Sequence, residues 1–352
     1  MKTQIYLAGL TEGEHSFARI NRYLSRELSI TYDVQTAREN TQPGSYHPAL
    51  EIRHSYPPSW RWPESSSTKL VYIAPVEFSR VPLEWALQFR DLADLVIVPS
   101  KWCRERYLEA GLAPERVVVI PNGVDFNLFI PPSTRNTSPY RFLFIGSGHY
   151  RKGLDLLITA WQQAFSSQDD VQLTIKDAVH VYGHYGTRHT VADLNARGCC
   201  APIDYDDRLL AEEDLVALFA RSNVCVHPYR GEGFGMHVAE ALRMNCRVIT
   251  TEGGPTDEFN PDLKLRAVQQ RTGDQTHWFS AGQALSLTEY EGWHLEADVN
   301  HLAETMHLLA KTREDLKTPC ASIYPWESIG SLYRSHIASL LADTSRPRRY
   351  VS

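Results

Sequence analysis

The chain has 352 residues, of which 43% are hydrophobic, 11% aromatic and 22% charged, the proportions of a folded globular protein rather than a disordered one. That length exceeds what a single hydrophobic core usually serves, so two domains of about 150–200 residues each are expected. A formal net charge of −6 argues against a general nucleic-acid binder, which needs a basic footprint.

At the amino end, the apolar run before Thr11 is too short for a signal peptide's hydrophobic region or a membrane span. A cytoplasmic protein is therefore expected. Strand-like runs at 4–10, 30–34, 49–56, 69–75, 95–100 and 116–121 alternate with helical patterns near 15–28, 83–92 and 100–110, the last closed by Gly111. Residues 35–68, rich in proline, read as an exposed loop. The stretch PPSTRNTSPY (131–140) has no periodicity and the composition of a connector, which places one domain at 1–130 and a second at 131–325.

The alternation then restarts. A strand at 141–146 precedes a helix whose apolar residues Leu154, Leu157, Ile158, Trp161 and Phe165 share one face. A strand at 171–177, a helix at 212–222, a strand at 223–228, a helix at 235–244 and a strand at 247–251 follow, while 178–203 shows no clear period. A last helix is expected over about 326–343, with Ile329, Leu332, Ile337, Leu340 and Leu341 as its apolar positions. The pattern is that of α/β architecture, two doubly wound Rossmann-like units with parallel sheets. Cys103, Cys199, Cys200, Cys225, Cys246 and Cys320 show no CxxC spacing and read as reduced thiols. The basic cluster RPRRY (346–350) reads as a solvated terminus able to touch an anionic membrane surface, which makes a weak peripheral contact at the inner membrane the only membrane role expected.

Open α/β sheets bind ligands beyond the carboxyl ends of their strands. In HPYRGEGFGMHVAEAL (227–242), three glycines in five residues lead from a strand into a helix, an arrangement suited to an anion. Glu232 and Glu240 lie within it. An acid ahead of a helix is favourable with the dipole alone, so the residues by themselves leave a purely structural role open. Arg151 and Lys152, at the end of the strand 141–146, supply the positive charge that a phosphate leaving group requires, or else form a solvated basic turn. Asp204-Tyr205-Asp206-Asp207 contains a DxD spacing that can hold a divalent cation, though acids before a helix commonly make a dipole-friendly turn.

The 227–242 stretch resembles the EGFG…E pattern of retaining glycosyltransferases of family 4, which have the GT-B fold. The similarity continues through EALRMNCRVITTEGGPTDEF (240–259), with Asn245 where that family has a helix-ending glycine, and through 74–125 with its VPSKW helix and PNGVD turn. The resemblance implies that Glu240 accepts hydrogen bonds from a nucleotide's ribose and that Glu232 contacts the donor sugar. It further implies that Gly233, Phe234, Gly235, Met236 and His237 line the diphosphate, and that the RKG triplet carries the family's donor-phosphate lysine at Lys152, beside Arg151. Gly13 stands in the family's glycine loop and Tyr205 near the expected base. Ser147 departs from the pattern, standing where many relatives have arginine, so charge compensation falls more heavily on Arg151 and Lys152. Glu77 occupies a position where many members have histidine, and its alternatives are acceptor contact and a structural role. Tyr56, Trp60 and Trp62 form either a sugar platform or domain packing. The family's terminal helix crosses back to the first domain.

The expectation is a retaining, metal-independent hexosyltransferase using a nucleotide-diphosphate sugar such as UDP-glucose, with a glycan, glycolipid or small molecule as acceptor and no cofactor. The alternatives are a non-catalytic nucleotide-sugar-binding subunit, for which the retained Glu232, Glu240 and Lys152 are unfavourable, and a glycan phosphorylase, for which no pyridoxal-phosphate lysine is recognisable. A dinucleotide-dependent dehydrogenase is disfavoured because GLTEGEHS lacks GxGxxG.

Overall fold

Continuous apolar runs such as LVIV (95–98) form strands covered on both faces, and they assemble here into two parallel six-stranded sheets. The computed structural model describes residues 2–13, 15–38, 41, 43–44, 46–55, 58–77, 79–182, 186–271, 292–313 and 322–344. The chain divides into one unit of Met1–Gly123 with Tyr324–Ser352 and another of Val124–Ile323.

In the first unit, β1 (Gln4–Gly9), α1 (Ser16–Ser29), β2 (Asp33–Ala37), β3 (Leu50–His54), β4 (Lys69–Ile73), α2 (Leu83–Leu92), β5 (Leu95–Val98), α3 (Lys101–Glu109) and β6 (Val117–Val119) follow in turn. The strand order is β2-β1-β3-β4-β5-β6, parallel throughout. Ser100 caps α3 by accepting from the Cys103 N–H at 3.1 Å, and Gly111 takes the left-handed conformation (φ 89°) beyond its end. The expected strand at 30–34 begins later, at Asp33, because the amides of Thr31 and Tyr32 still bond to Leu28 O (3.1 and 2.9 Å) at the end of α1.

The stretch 35–68 is not simply an exposed loop. Arg53, 1% exposed on β3, pairs with Glu51 at 2.9 Å and donates to Ser59 O at 3.2 Å, Arg61 O at 2.5 Å and the Tyr72 hydroxyl at 2.9 Å. Glu51 also takes the Arg61 guanidinium. Isolated charges would be expensive in this interior, and mutual pairing plus carbonyl acceptors makes them tolerable while pinning the following segment to the sheet.

The second unit contains β7 (Tyr140–Ile145), α4 (Leu154–Ala164), β8 (Val171–Lys176), α5 (Val179–Tyr182), α6 (Gly186–Arg197), β9 (Ile203–Asp206), α7 (Glu212–Arg221), β10 (Val224–His227), α8 (Met236–Arg243), β11 (Arg247–Thr251), β12 (Leu263–Leu265), β13 (Ala267–Arg271), β14 (Trp293–Ala297) and α9 (Val299–Thr312). The main sheet runs β12-β11-β10-β7-β8-β9, all parallel, and β13 pairs antiparallel with β14. Phe142, Leu157 and Trp161 are fully buried, and α9 covers them with Leu302, Met306 and Leu309. The unit begins at Val124, ahead of the proline-rich stretch from which the sequence places its boundary. Val124 and Phe129 are already buried in this unit's apolar cluster, with Phe219, Val238 and Val248.

The last helix, α10 (Trp326–Ala342), belongs to the first unit, as GT-B architecture implies. Trp326 stacks on Tyr23 of α1 at 5.1 Å and 5°, and Arg334 donates to Glu27 O at 2.7 Å. Gly123 lies against Trp326 so closely that a Cβ there would come within 2.8 Å of the tryptophan Cα. Leu332 of α10 is 44% exposed rather than buried. No helix of the described residues is long and apolar enough to cross a membrane. Tyr56, Cys320 and the RPRRY cluster lie outside the described residues.

Candidate functional site

In the second sheet the chain order reverses between β7 and β10, the switch point at which an open parallel sheet leaves a crevice beyond its strands. The segments leaving those two strands carry the residues singled out from sequence. After β7, Tyr150–Lys152 form one 3₁₀ turn, and Gly153 (φ 70°, ψ 23°) turns the chain into α4. A Cβ on Gly153 would lie 1.9 Å from the Pro228 carbonyl oxygen, so the two segments meet backbone to backbone. After β10, Gly235 (φ 88°) opens α8 with no side-chain cap. The leading N–H groups of α8, those of Met236 and His237, have no intrahelical acceptor, and the positive end of the helix points the same way.

Glu232 is the hub of the site. Lys152 Nζ donates to its Oε2 at 2.6 Å, His227 Nε2 lies 3.2 Å from the same oxygen and Arg151 Nη1 3.9 Å away. Its Oε1 accepts from the Gly233 N–H at 3.1 Å, and Arg151 Nη1 also donates to Gly231 O at 2.8 Å. Burial by itself would raise the carboxyl's pKa, but Lys152, the His227 hydrogen bond and Arg151 together hold it well below the usual range. Glu232 is an ionised carboxylate here. Burial lowers His227 to about 4 against the pull of Glu232, and burial likewise lowers His237 well below 6.5. Both imidazoles are therefore neutral near pH 7, and they meet edge to face with centroids 3.9 Å apart.

A second cluster braces this one. Arg230, 3% exposed, makes a two-pronged pair with Asp155 of α4 (2.7 and 2.8 Å) and another with Glu296 of β14 (2.5 and 2.9 Å). Its guanidinium carbon lies 3.6 Å from the centre of the Tyr150 ring. Its own N–H donates to Arg151 O at 2.8 Å, and its Nη1 to Tyr150 O at 2.8 Å. Arg230 thus ties together the turn that bears Lys152, the loop that bears Glu232 and the β13–β14 hairpin.

Glu232, Lys152, Arg151, Gly233, Gly235, Met236 and His237 are therefore brought together. Phe234 is buried against Phe259, packed edge to face at 5.1 Å. Glu240, in the second turn of α8, is 2% exposed. Ser147 is fully buried and engages the His149 ring. Tyr205, at the carboxyl end of β9, donates to Asp177 Oδ2 at 2.8 Å beneath the Arg188 guanidinium. Asp204, Asp206 and Asp207 are engaged by Gln172, Arg208 and Arg188 respectively.

In the first unit, Gly13 (φ 90°) is held through its carbonyl by Arg22 at 2.6 Å, and nearby Asn21 accepts from His54 Nδ1 at 2.7 Å. Trp60 packs on Phe89 (4.9 Å) and Tyr72 (5.7 Å), which favours the packing alternative, whereas Trp62 is 42% exposed. Glu77 is half-buried. Sequence reasoning missed Arg230, Asp155, Glu296 and the His227 side chain. The buried RGE run beside the glycines was the one available signal, and the partners of Arg230 lie 75 and 66 positions away.

Both halves of the chain match known families. Residues 46–128 match the family model described as Glycosyltransferase Family 4, and residues 139–269 that described as Glycosyl transferases group 1. Among curated proteins, the chain is 25% identical to the phosphatidylinositol N-acetylglucosaminyltransferase gpi3 subunit of Schizosaccharomyces pombe over 58% of this chain and 43% of that protein. It is 26% identical to the MMP alpha-(1->4)-mannosyltransferase of Mycolicibacterium hassiacum over 72% and 56% respectively, so it spans about half the length of these relatives. Of solved structures, Anabaena HepE in complex with UDP and glucose covers 96% of this chain and 100% of its own, with TM-score 0.64 and 13% identity. Sucrose-phosphate synthase from Thermosynechococcus elongatus gives 0.67 and 16%, again over 96% and 100%. From the two family matches and the two parallel sheets, the chain belongs to the family 4 glycosyltransferases of GT-B fold.

Proposed function

We propose that this glycosyltransferase moves a hexose-type sugar from a nucleotide diphosphate to an acceptor hydroxyl with retention, without a metal, and that the unit Val124–Ile323 binds the donor. The observation that carries this reading is the Lys152–Glu232–Arg151 cluster beside the uncapped start of α8, at the switch point of the sheet. Lys152, Arg151 and the first N–H groups of α8 offset the charge that develops on the diphosphate as the bond to the sugar's anomeric carbon breaks. The acceptor oxygen bonds to that carbon on the face the diphosphate leaves, and the acceptor proton passes to a phosphate oxygen, so no protein nucleophile is needed. Glu232 faces sugar hydroxyls and Glu240 the ribose, since carboxylates accept from hydroxyls. The acceptor, a glycan, glycolipid or small molecule, belongs to the first unit, and the protein works in the cytoplasm or peripherally at the membrane's inner surface. Relatives named as N-acetylglucosaminyl- and mannosyltransferases, together with a fold neighbour solved with UDP-glucose, support a nucleotide-sugar donor and put UDP-glucose first among those to test.

Thermal shift against UDP-, GDP- and ADP-sugars tests the reading. A true donor at 100 times its Kd stabilises the fold by about 2.7 kcal/mol. No shift with any of them, and no release of nucleoside diphosphate by the purified chain, refutes it.

A further inference from the structure

Glu232 has its charge met by Lys152 and Arg151, whereas the two imidazoles beside it have unmet hydrogen-bonding capacity. His227 is fully buried. Because Glu232 is a carboxylate and can only accept, His227 carries its proton on Nε2, which leaves Nδ1 a bare acceptor. That Nδ1 is buried and makes no hydrogen bond among the described residues, and the same holds for Nε2 of His237. His237 keeps part of its surface exposed, and its ring lies edge to face on His227 at the second residue of α8. Orphaned polar atoms of this kind are uncommon in folded proteins and call for an explanation.

The groups facing the pair account for its present neutrality. Lys152 and Arg151 repel a further proton from the turn before α4, Glu232 attracts one from the loop after β10, and His227 opposes a charge on His237. The Phe144 ring lies 6.4 Å from His227 and the Tyr229 ring 5.2 Å, and the Tyr229 hydroxyl is engaged with Thr251 O and Thr256. Burial and the two cations outweigh the pull of Glu232.

We propose that binding of the donor diphosphate draws one proton onto the His227–His237 pair, making it a third cationic element of the donor site beside Lys152 and Arg151. The inference rests on the donor reading above. A diphosphate diester brings two negative charges to the start of α8, and Lys152 turns toward it, weakening its hold on Glu232. One negative charge about 6 Å away, at an effective dielectric of about 20, raises a pKa by about two, so two such charges carry a histidine from near 4 past neutrality. The proton lands on a nitrogen that now has no partner, and no bond other than N–H is formed.

Calorimetric titration of the full chain with UDP-glucose, UDP-N-acetylglucosamine and GDP-mannose, in buffers of differing ionisation enthalpy at pH 7, tests this. These ligands do not titrate near neutrality, so any buffer dependence of the heat reports a proton on the protein. The expected result is uptake of about 0.5–1 proton per site, with affinity falling up to about tenfold per pH unit above the bound pair's pKa. The dependence is expected to disappear in the His227→Gln/His237→Gln double variant. Binding heat that is the same in every buffer overturns the proposal, as does a dependence that survives in the double variant. The wild-type measurement stands by itself if the variant fails to fold. If none of the three sugars binds, the donor reading fails and this one with it, whereas binding without proton uptake removes this one alone.

Discussion

An ammonium at 9% exposure is tolerated only beside a counter-charge, and Glu232 supplies one to Lys152 at 2.6 Å. The same pairing joins the turn that bears Lys152 to the loop that bears Glu232, and in the donor reading proposed above this lysine serves the leaving diphosphate. Lys152→Ala is therefore expected to reduce turnover by about 10²–10³-fold, more than it weakens donor binding, because its charge matters most as the leaving group becomes negative. Steady-state kinetics that leave turnover unchanged exclude the role. Glu240→Ala should instead raise the dissociation constant for nucleotide by about 10–100-fold, the worth of hydrogen bonds to a charged group, as read by calorimetry with the nucleoside diphosphate. Residue type and spacing marked the glutamates and the cationic turn as candidates while leaving a structural role open, and the roles assigned to them came from the family resemblance. What linear sequence hides is that Lys152 and Glu232, 80 positions apart, share one ion pair.

The elements around the site are joined by close backbone approach and by one guanidinium. Gly153 combines a left-handed conformation with a carbonyl at 1.9 Å from the Cβ position, so Gly153→Ala must displace the Pro228 backbone as well as strain its own. A loss of at least about 2 kcal/mol in urea denaturation is expected, and a change of less than half that would show that the turn yields easily. Arg230→Ala leaves Asp155 and Glu296 opposed without their cation. Stability should fall by about 3 kcal/mol, less than for a fully buried pair because the Asp155 side chain is 55% exposed, while Arg230→Lys keeps the charge but loses both two-pronged pairs.

The main strands and helices flanking these residues follow from apolar periodicity and glycine placement, which is why the fold class could be read early. The segment 178–203 could not be read so. Its helix α6 buries only Thr187, Val191 and Leu194, too few apolar positions to set a period against its polar remainder. Hairpin β13–β14 escaped for a related reason, since β13 is mostly exposed. The tethering of 58–63 was hidden because buried Arg53 and Glu51 look, in one dimension, like surface residues.

For the molecule as a whole, each unit contains a histidine kept neutral by burial, His54 in the first (lowered to about 3, burial first and His15 second) and His227 in the second (about 4). Their folded pKa values lie below the unfolded value, so the unfolded chain binds more protons as pH falls through the range from about 6.5 to about 4, and stability declines over it. At pH 5 each contributes a loss of about 2 kcal/mol relative to pH 7. Glu232 adds to this further down, since its contribution is complete above the ordinary carboxylate pKa and disappears as pH drops through its depressed one. Denaturation midpoints measured from pH 7 to 5 should fall steeply, and His54→Gln should flatten the fall for the first unit alone. A flat profile in the wild-type chain would contradict the buried, neutral state of both rings.

The contact between Gly123 and Trp326 bears on how the molecule can be taken apart. The residues that bound the second unit are neighbours within the first, with the Cβ position of one 2.8 Å from the Cα of the other. The second unit is thus an insertion with adjacent entry and exit, continuous in sequence, whereas the first is split around it. Excising 124–323 and rejoining the cut ends through a short glycine linker gives a chain from which the first unit can be made without its companion, and the excised segment can be expressed as it stands. Donor binding, proposed above for the second unit, thereby becomes open to measurement apart from the first.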